Sequence, residues 1–327
     1  MGIELVKYSA GLWTFGQLSD RFSVYSEAAD LREKFSRASR VQGLEGLEII
    51  YPSEFTRDDM DVLKDLLKES GFKVSSLLVN LFSDPKWKFG AFISPTEKLR
   101  REAIKLAEEC MEASRELGSN LVNLWLGQDG YDYLFQVDYS KAWNLLIDSI
   151  RECAQHHPDV KLSLEYKLRE PRTHSLIATV GKAILIANEV GLKNVGVTID
   201  IGHAFNAYEN PAESLILAKR WNRLFHIHVN DNFREWDDDM IVGSQNFWDY
   251  IEFFYYLREI GYDGWLSLDV YPYRDDPVSV CAQSIANLRR LQELASRIDP
   301  QPLRERMLSN DQPAVIKLLW DSIFQFR

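Results

Sequence analysis

The chain has 327 residues and a mass of 37.9 kDa, with 46% hydrophobic and 27% charged residues, the proportions of an ordinary soluble fold. Its net charge of −11 excludes a general nucleic-acid binder, which needs a basic face, and leaves room for a cation gathered by acidic side chains. Cys110, Cys153 and Cys281 are too widely spaced for a CxxC pair, no stretch is long enough to span a membrane, and residues 1–8 lack the apolar core of a signal peptide. These features predict a cytoplasmic protein in a reducing compartment, with no nucleic-acid and no membrane partner.

Short apolar runs rich in leucine and β-branched residues predict eight strands, at 8–13, 47–50, 74–78, 121–124, 162–165, 195–200, 225–229 and 265–270. Several are apolar at consecutive positions, the pattern of parallel strands buried on both faces. Amphipathic stretches between them predict helices from Thr56 to Ser70, Pro95 to Glu116, Ser140 to about His156, Thr173 to Val190, Phe247 to Ile260 and Pro277 to Ile298. Gly71, Gly118, Gly191 and Gly261 follow four of these helices, where a left-handed residue closes a helix before the next strand.

Eight strands alternating with helices predict an α/β fold, a (β/α)8 TIM barrel over residues 1–299. An open doubly wound sheet would carry a glycine-rich phosphate loop after its first strand, and Trp13-Thr14-Phe15-Gly16 is not one. Residues 300–327 form a short C-terminal helical extension in this reading. The apolar positions Val315, Ile316, Leu318, Leu319, Trp320 and Ile323 pack it on its own barrel or on a second subunit, and a homo-oligomer is expected.

Reactive residues of such barrels sit at the C-terminal ends of strands. The last four strands end in Glu165, Asp200, His228 and Asp269. Three converging carboxylates repel one another unless a cation shares them. This oxygen-rich set with one imidazole suits Mn²⁺, Mg²⁺ or Co²⁺ better than a thiolate-bound zinc. His203, Asp237 and Asp239 lie close by in sequence and suggest a second divalent ion, bridged by Glu165 or Asp269. Asp231 reads as a brace for His228 or for its own loop.

From Glu165 to Asp276 the chain resembles the xylose isomerase-like barrel superfamily, which includes xylose and rhamnose isomerases, sugar 3-epimerases and endonuclease IV. Glu165-Tyr166-Lys167 with Glu170-Pro171 is similar to the ExK…EP pattern of xylose and rhamnose isomerases. Asp200 and His203 match the DxxH motif. His228-Val229-Asn230-Asp231, with the segment Asp237 to Ser244, resembles the seventh-strand region of two-metal rhamnose isomerases. The resemblance implies Glu165, Asp200, His228 and Asp269 as ligands of a first metal, Mn²⁺ foremost with Mg²⁺, Co²⁺ or Zn²⁺ as alternatives. It implies His203, Asp237 and Asp239 for a second metal, and Lys167 as donor to the substrate oxygen near the reacting carbonyl.

Three departures narrow this. The third and fourth strands lack the histidines of a trinuclear endonuclease IV site. The eighth strand ends in Asp269 where the 3-epimerases carry a glutamate. No histidine follows the first or third strand to open a sugar ring. The leading expectation is a metal-dependent sugar isomerase interconverting an aldose and a ketose by hydride shift, with Glu165, Lys167, Asp237, Asp239 and Asp269 as its catalytic residues. The alternatives are a sugar 3-epimerase or a C-glycoside-cleaving lyase with a small partner subunit, both removing a proton beside a carbonyl, or a sugar-binding module without catalysis. The aromatic residues Trp13, Phe15, Trp125, Phe205, Trp236 and Tyr271 flank the motifs and suit an unphosphorylated small-molecule sugar substrate.

Overall fold

A computed structural model describes residues 6–170 and 172–324. Eight parallel strands hydrogen-bond in chain order: β1 (Lys7–Gly11), β2 (Gly46–Tyr51), β3 (Lys73–Val79), β4 (Leu121–Trp125), β5 (Lys161–Glu165), β6 (Val195–Asp200), β7 (Leu224–Val229) and β8 (Trp265–Leu268). Strand β1 pairs with β8 as well as β2, so the sheet closes into a (β/α)8 barrel. Glu165 pairs with Trp125 on one side and Thr198 on the other, and His228 pairs with Asp200. This register brings the strand ends to one level at the barrel mouth.

The strands are buried on both faces, as their apolar runs predict, but the inner face is polar on several of them. Inside, Thr198 donates to Asn123, Ser163 bonds Thr198, and Glu48 reaches from β2 across to β7. The alternate positions, such as Leu162, Leu164, Val197, Ile199, Ile227 and Val229, are fully buried. Burying each such side chain contributes about 1.5–3 kcal/mol, against about 0.5–1.5 kcal/mol net for a hydrogen bond. The apolar layer therefore holds the barrel together, and the polar interior is free to serve the mouth.

Helices α1 (Leu31–Ala38), α2 (Met60–Ser70), α3 (Glu97–Glu116), α4 (Tyr139–His156), α5 (Val180–Val190), α6 (Ile201–Asn206), α7 (Pro211–Arg220), α8 (Phe247–Glu259) and α9 (Pro277–Ser296) connect the strands. Gly71, Gly118, Gly191 and Gly261 have φ of +77°, +74°, +77° and +62°, the left-handed closure expected of them. Several differences from the sequence reading stand out. Helix α5 begins at Val180, capped by the Thr179 side chain, and not at Thr173. Thr173–Ser175 instead forms a short antiparallel sheet with Arg169–Glu170 and Gly130–Tyr131, because long-range pairing overrides local preference. The first and last strands are shorter than predicted, with Leu12–Phe15 a 3-10 turn and Asp269 just beyond β8. Helices α1, α6 and α7 were not predicted, and Pro171 of the EP pattern lies outside the described residues.

After α9 the chain forms two helices where one was expected, α10 (Pro300–Leu308) and α11 (Gln312–Ile323). They fold back on their own barrel. Leu303, Val315 and Ile323 are buried, and Trp320 lies 5.6 Å from the Trp248 ring of α8. None of the described helices is long and apolar enough to cross a membrane.

Candidate functional site

Glu165 and Asp200 end β5 and β6, His228 is the penultimate residue of β7, and Asp269 follows β8. Each offers a donor atom, and all four atoms lie within 4.8 Å of one another. His228 Nδ1 stands 3.4 Å from Glu165 Oε1, 3.5 Å from Asp269 Oδ2 and 3.7 Å from Asp200 Oδ2. These separations exceed a good hydrogen bond, and Nδ1 is a buried atom without a hydrogen-bond partner. The first two match instead the roughly 3.0–3.5 Å between neighbouring ligands around a cation bound at about 2.0–2.2 Å, and the third lies just beyond it. The side chains of Glu165, Asp200 and His228 are almost wholly buried, whereas Asp269 is 24% exposed. The approach from solvent therefore lies on the Asp269 side.

Local structure holds each residue in place. Asn123 donates to Glu165 Oε2, leaving Oε1 for the cluster. Asp200 is both a helix cap and a cluster member. Its Oδ1 accepts from the His203 backbone at 2.8 Å, and Asn230 Nδ2 donates to both of its oxygens at 3.1 and 3.3 Å. Trp13 Nε1 donates to Asp269 Oδ1 at 3.2 Å. Gly202 allows this packing, since a Cβ there would meet Asn230 Oδ1 at 2.1 Å. Gly202→Ala is expected to push Asn230 off Asp200 and to weaken cation binding about tenfold while the fold persists. Calorimetric titration with Mn²⁺ beside a circular dichroism spectrum checks this, and unchanged affinity would show that Asn230 does not hold the site.

The second predicted group is partly assembled. His203 Nε2 lies 3.1 Å from Asp237 Oδ2, and His203 Nδ1 lies 3.4 Å from Glu165 Oε1. Lys167 Nζ contacts Asp237 Oδ2 at 2.8 Å and Glu170 Oε2 at 2.9 Å. Asp239, held at φ +47°, shares the neighbourhood electrostatically. Among the described residues, His203, Asp237 and Asp239 do not form a set with all donor atoms within 4.8 Å. Asp231 is not in the site. It accepts from Gln245 and Asn246 and so braces its own loop.

The electrostatics express the crowding of acids. Burial, with Asp237, Asp269 and Glu165 close by, outweighs the countering charge of His203 and pushes Asp200 up to about 6. Burial, Asp237 and Asp269 push Asp239 well above its ordinary value. Burial would lower His203, but Asp200 and Asp237 outweigh it and raise it to about 9. Burial would likewise lower Lys167, yet Asp237 and Glu170 hold its ammonium above the usual range. Acidic groups thus outnumber basic ones here, with Glu165, Asp200, Asp237, Asp239, Asp269 and Glu170 gathered near Lys167 and His203.

Of the six aromatic residues singled out, Phe15 and Phe205 are core, and Trp236 is exposed. Tyr271 hydrogen-bonds the 17–19 segment. Trp13 bonds Asp269, and Trp125 lies 5.2 Å from Lys167 Nζ, with a buried Nε1 that has no partner. Clefts of about 200 and 360 Å³ flank the Asp237–Asp239 segment, one lined by Lys167, Arg169, Glu170 and Tyr208, the other by Tyr25, Tyr271 and Tyr273. Sequence reasoning missed Glu48, His226 and Asn123. A lone acid within the apolar run Gly46-Leu47-Glu48-Ile49-Ile50 was the available signal.

Comparison with known proteins agrees with the barrel fold. The model of a family described as xylose isomerase-like TIM barrel matches residues 35–291. The chain is 27% identical to a xylose isomerase of Thermus thermophilus over 289 residues, 83% of this chain and 74% of that protein. It is 27% identical to a protein of Mesorhizobium japonicum named as a probable sugar isomerase, over 71% of this chain and 56% of that one. Among solved structures, a D-tagatose 3-epimerase-like protein superposes with a TM-score of 0.72 at 22% identity, covering 89% of this chain and 98% of that one. An L-ribulose 3-epimerase gives 0.71 at 16% identity, covering 93% and 98%. The structural likenesses speak to the fold.

Proposed function

The chain belongs to the xylose isomerase-like TIM barrel family, and we propose that it is a divalent-metal-dependent sugar isomerase interconverting an aldose and a ketose. The observation that carries this reading is the Glu165–Asp200–His228–Asp269 cluster, whose converging donors and partnerless His228 Nδ1 fit a cation. The sequence relatives named as sugar isomerases support it. Glu165, Asp200, His228 and Asp269 hold the first cation, and His203, Asp237 and Asp239 a second. Mn²⁺ suits this oxygen-rich set best, with Mg²⁺, Co²⁺ and Zn²⁺ as alternatives. Such a cation supplies Lewis acidity that polarises the sugar carbonyl.

The chain's own residues do the rest. The open-chain substrate enters on the Asp269 side. Lys167 Nζ donates to the carbonyl oxygen as negative charge develops there while hydride moves between C2 and C1. Asp237 and Asp239 hold the water that carries the hydroxyl proton from one oxygen to the other. Trp13 and Trp125 cover the apolar face of the sugar and exclude bulk water.

A second reading, proton abstraction by an epimerase, is favoured by the solved structures that share the fold. One experiment separates the two. A panel of unphosphorylated aldoses and ketoses is incubated with Mn²⁺ or Co²⁺ in deuterated water, and the products are separated. Aldose–ketose conversion with no solvent deuterium on carbon is the expected result. Heavy incorporation, or inversion at C3 of a ketose, would replace the hydride shift with proton abstraction.

A further inference from the structure

On the other side of the His228 ring from the cluster stands a carboxylate that the proposed reaction does not use. Glu48 projects from β2 and is fully buried. Its two oxygens each lie 3.1 Å from His228 Nε2, and Oε1 also contacts Nε2 of His226. Among the described residues no lysine or arginine reaches it, so two imidazoles of β7 are its only ionic partners. Leaving a carboxylate unpaired in such a place costs several kcal/mol, and a hydrophobic residue would avoid that cost.

What Glu48 does follows from donor chemistry. Both Glu48 oxygens stand within hydrogen-bond distance of His228 Nε2, whereas Nδ1 of the same ring has no hydrogen-bond partner, so the hydrogen bond to the carboxylate runs through Nε2. The ring nitrogen that faces it must therefore carry the hydrogen. In His228 that nitrogen is Nε2, which leaves Nδ1 on the opposite side of the ring, facing Glu165, Asp200 and Asp269. Imidazole ligands are commonly oriented in this way by an outer carboxylate.

We propose that Glu48 is a positioning residue. From the far side of the barrel it fixes the ring orientation of His228 and presents Nδ1 to the cation, with His226 as the second donor that holds the carboxylate in register. This rests on reading the cluster as a cation site. Glu48 touches no substrate, and its effect passes through His228.

The test is Mn²⁺ affinity of the full-length chain, measured by titration calorimetry for wild type, Glu48→Gln, Glu48→Asp and Glu165→Gln. Glu48→Gln keeps the size of the side chain and loses its charge. It is expected to weaken Mn²⁺ binding about 10- to 100-fold, with most of the turnover returning at saturating Mn²⁺. Glu48→Asp keeps the charge but not the reach, and should fall between. A purely structural strut would lower the melting temperature of Glu48→Gln with an unchanged Mn²⁺ dissociation constant, and that result overturns the proposal. Failure of the wild type to bind any divalent ion would remove the cation site itself, and this inference with it.

If the variants do not fold, zinc-loaded wild type decides. Nitrogen-edited proton spectra should show a slowly exchanging proton on Nε2 of His228. A proton on Nδ1, or one exchanging freely with water, overturns the assignment.

Discussion

Glu165→Gln should eliminate turnover, by about 10³-fold or more, and should remove the stabilisation that Mn²⁺ gives the folded chain. Glu165 lies between the two proposed cation groups, its Oε1 3.4 Å from His228 Nδ1 and 3.4 Å from His203 Nδ1. The substitution is nearly isosteric but leaves no good orientation. With its oxygen toward Asn123, the new amide turns its N–H₂ toward the cation position. With its oxygen toward the cation, that N–H₂ meets the Asn123 donor. For wild type, Mn²⁺ at about a hundred times its dissociation constant adds about 2.7 kcal/mol to folding stability, which thermal melts with and without Mn²⁺ resolve. The variant should melt at one temperature in both conditions. Retention of a tenth of the activity, or an intact Mn²⁺ shift, would mean that the chemistry lies elsewhere.

Lys167→Met is the second large effect. The Lys167 ammonium is buried, lies over the Trp125 ring and pairs with Asp237 and Glu170. Because those carboxylates hold it protonated, it remains a donor throughout any practical assay range. A methionine fills similar volume and donates nothing. The expected result is a loss of about 10²–10³-fold in kcat, the scale of one preorganised donor, with Mn²⁺ binding retained. Lys167→Arg should not restore the rate, since the guanidinium fork places its donors differently from a point charge. A drop in kcat smaller than about tenfold, measured with saturating Mn²⁺, would take Lys167 out of the reaction.

The contrast between these residues and Glu48 shows where sequence is informative. Glu165, Asp200, His228 and Asp269 could be read because each falls at or beside a strand end, and the barrel alone dictates that strand ends converge. Lys167 could be read only through the Glu165-Tyr166-Lys167 pattern that resembles xylose and rhamnose isomerases. Glu48 lies mid-strand, and its partners are 178 and 180 residues away. No local pattern announces such a pairing. The 169–175 hairpin was hidden for a related reason, since strands of two and three residues exist only through partners elsewhere in the chain. Thr173–Ser175 read as the start of a helix until Gly130 and Tyr131 are placed beside them.

That hairpin lets one part of the molecule change without the other. It leaves the barrel directly after Lys167 and returns at Ile177, whose carbonyl accepts from the Lys167 backbone at 3.0 Å. Its ladder is made with Gly130 and Tyr131 and never with the eight barrel strands. Substitutions at Arg169, Arg172 or His174 can therefore reshape the rim, where different sugars would be told apart, while Glu165 keeps its register on β5. Diversification by descent, or by a designer, can act on these three rim positions as long as Glu170, the hairpin residue that pairs with Lys167, is kept.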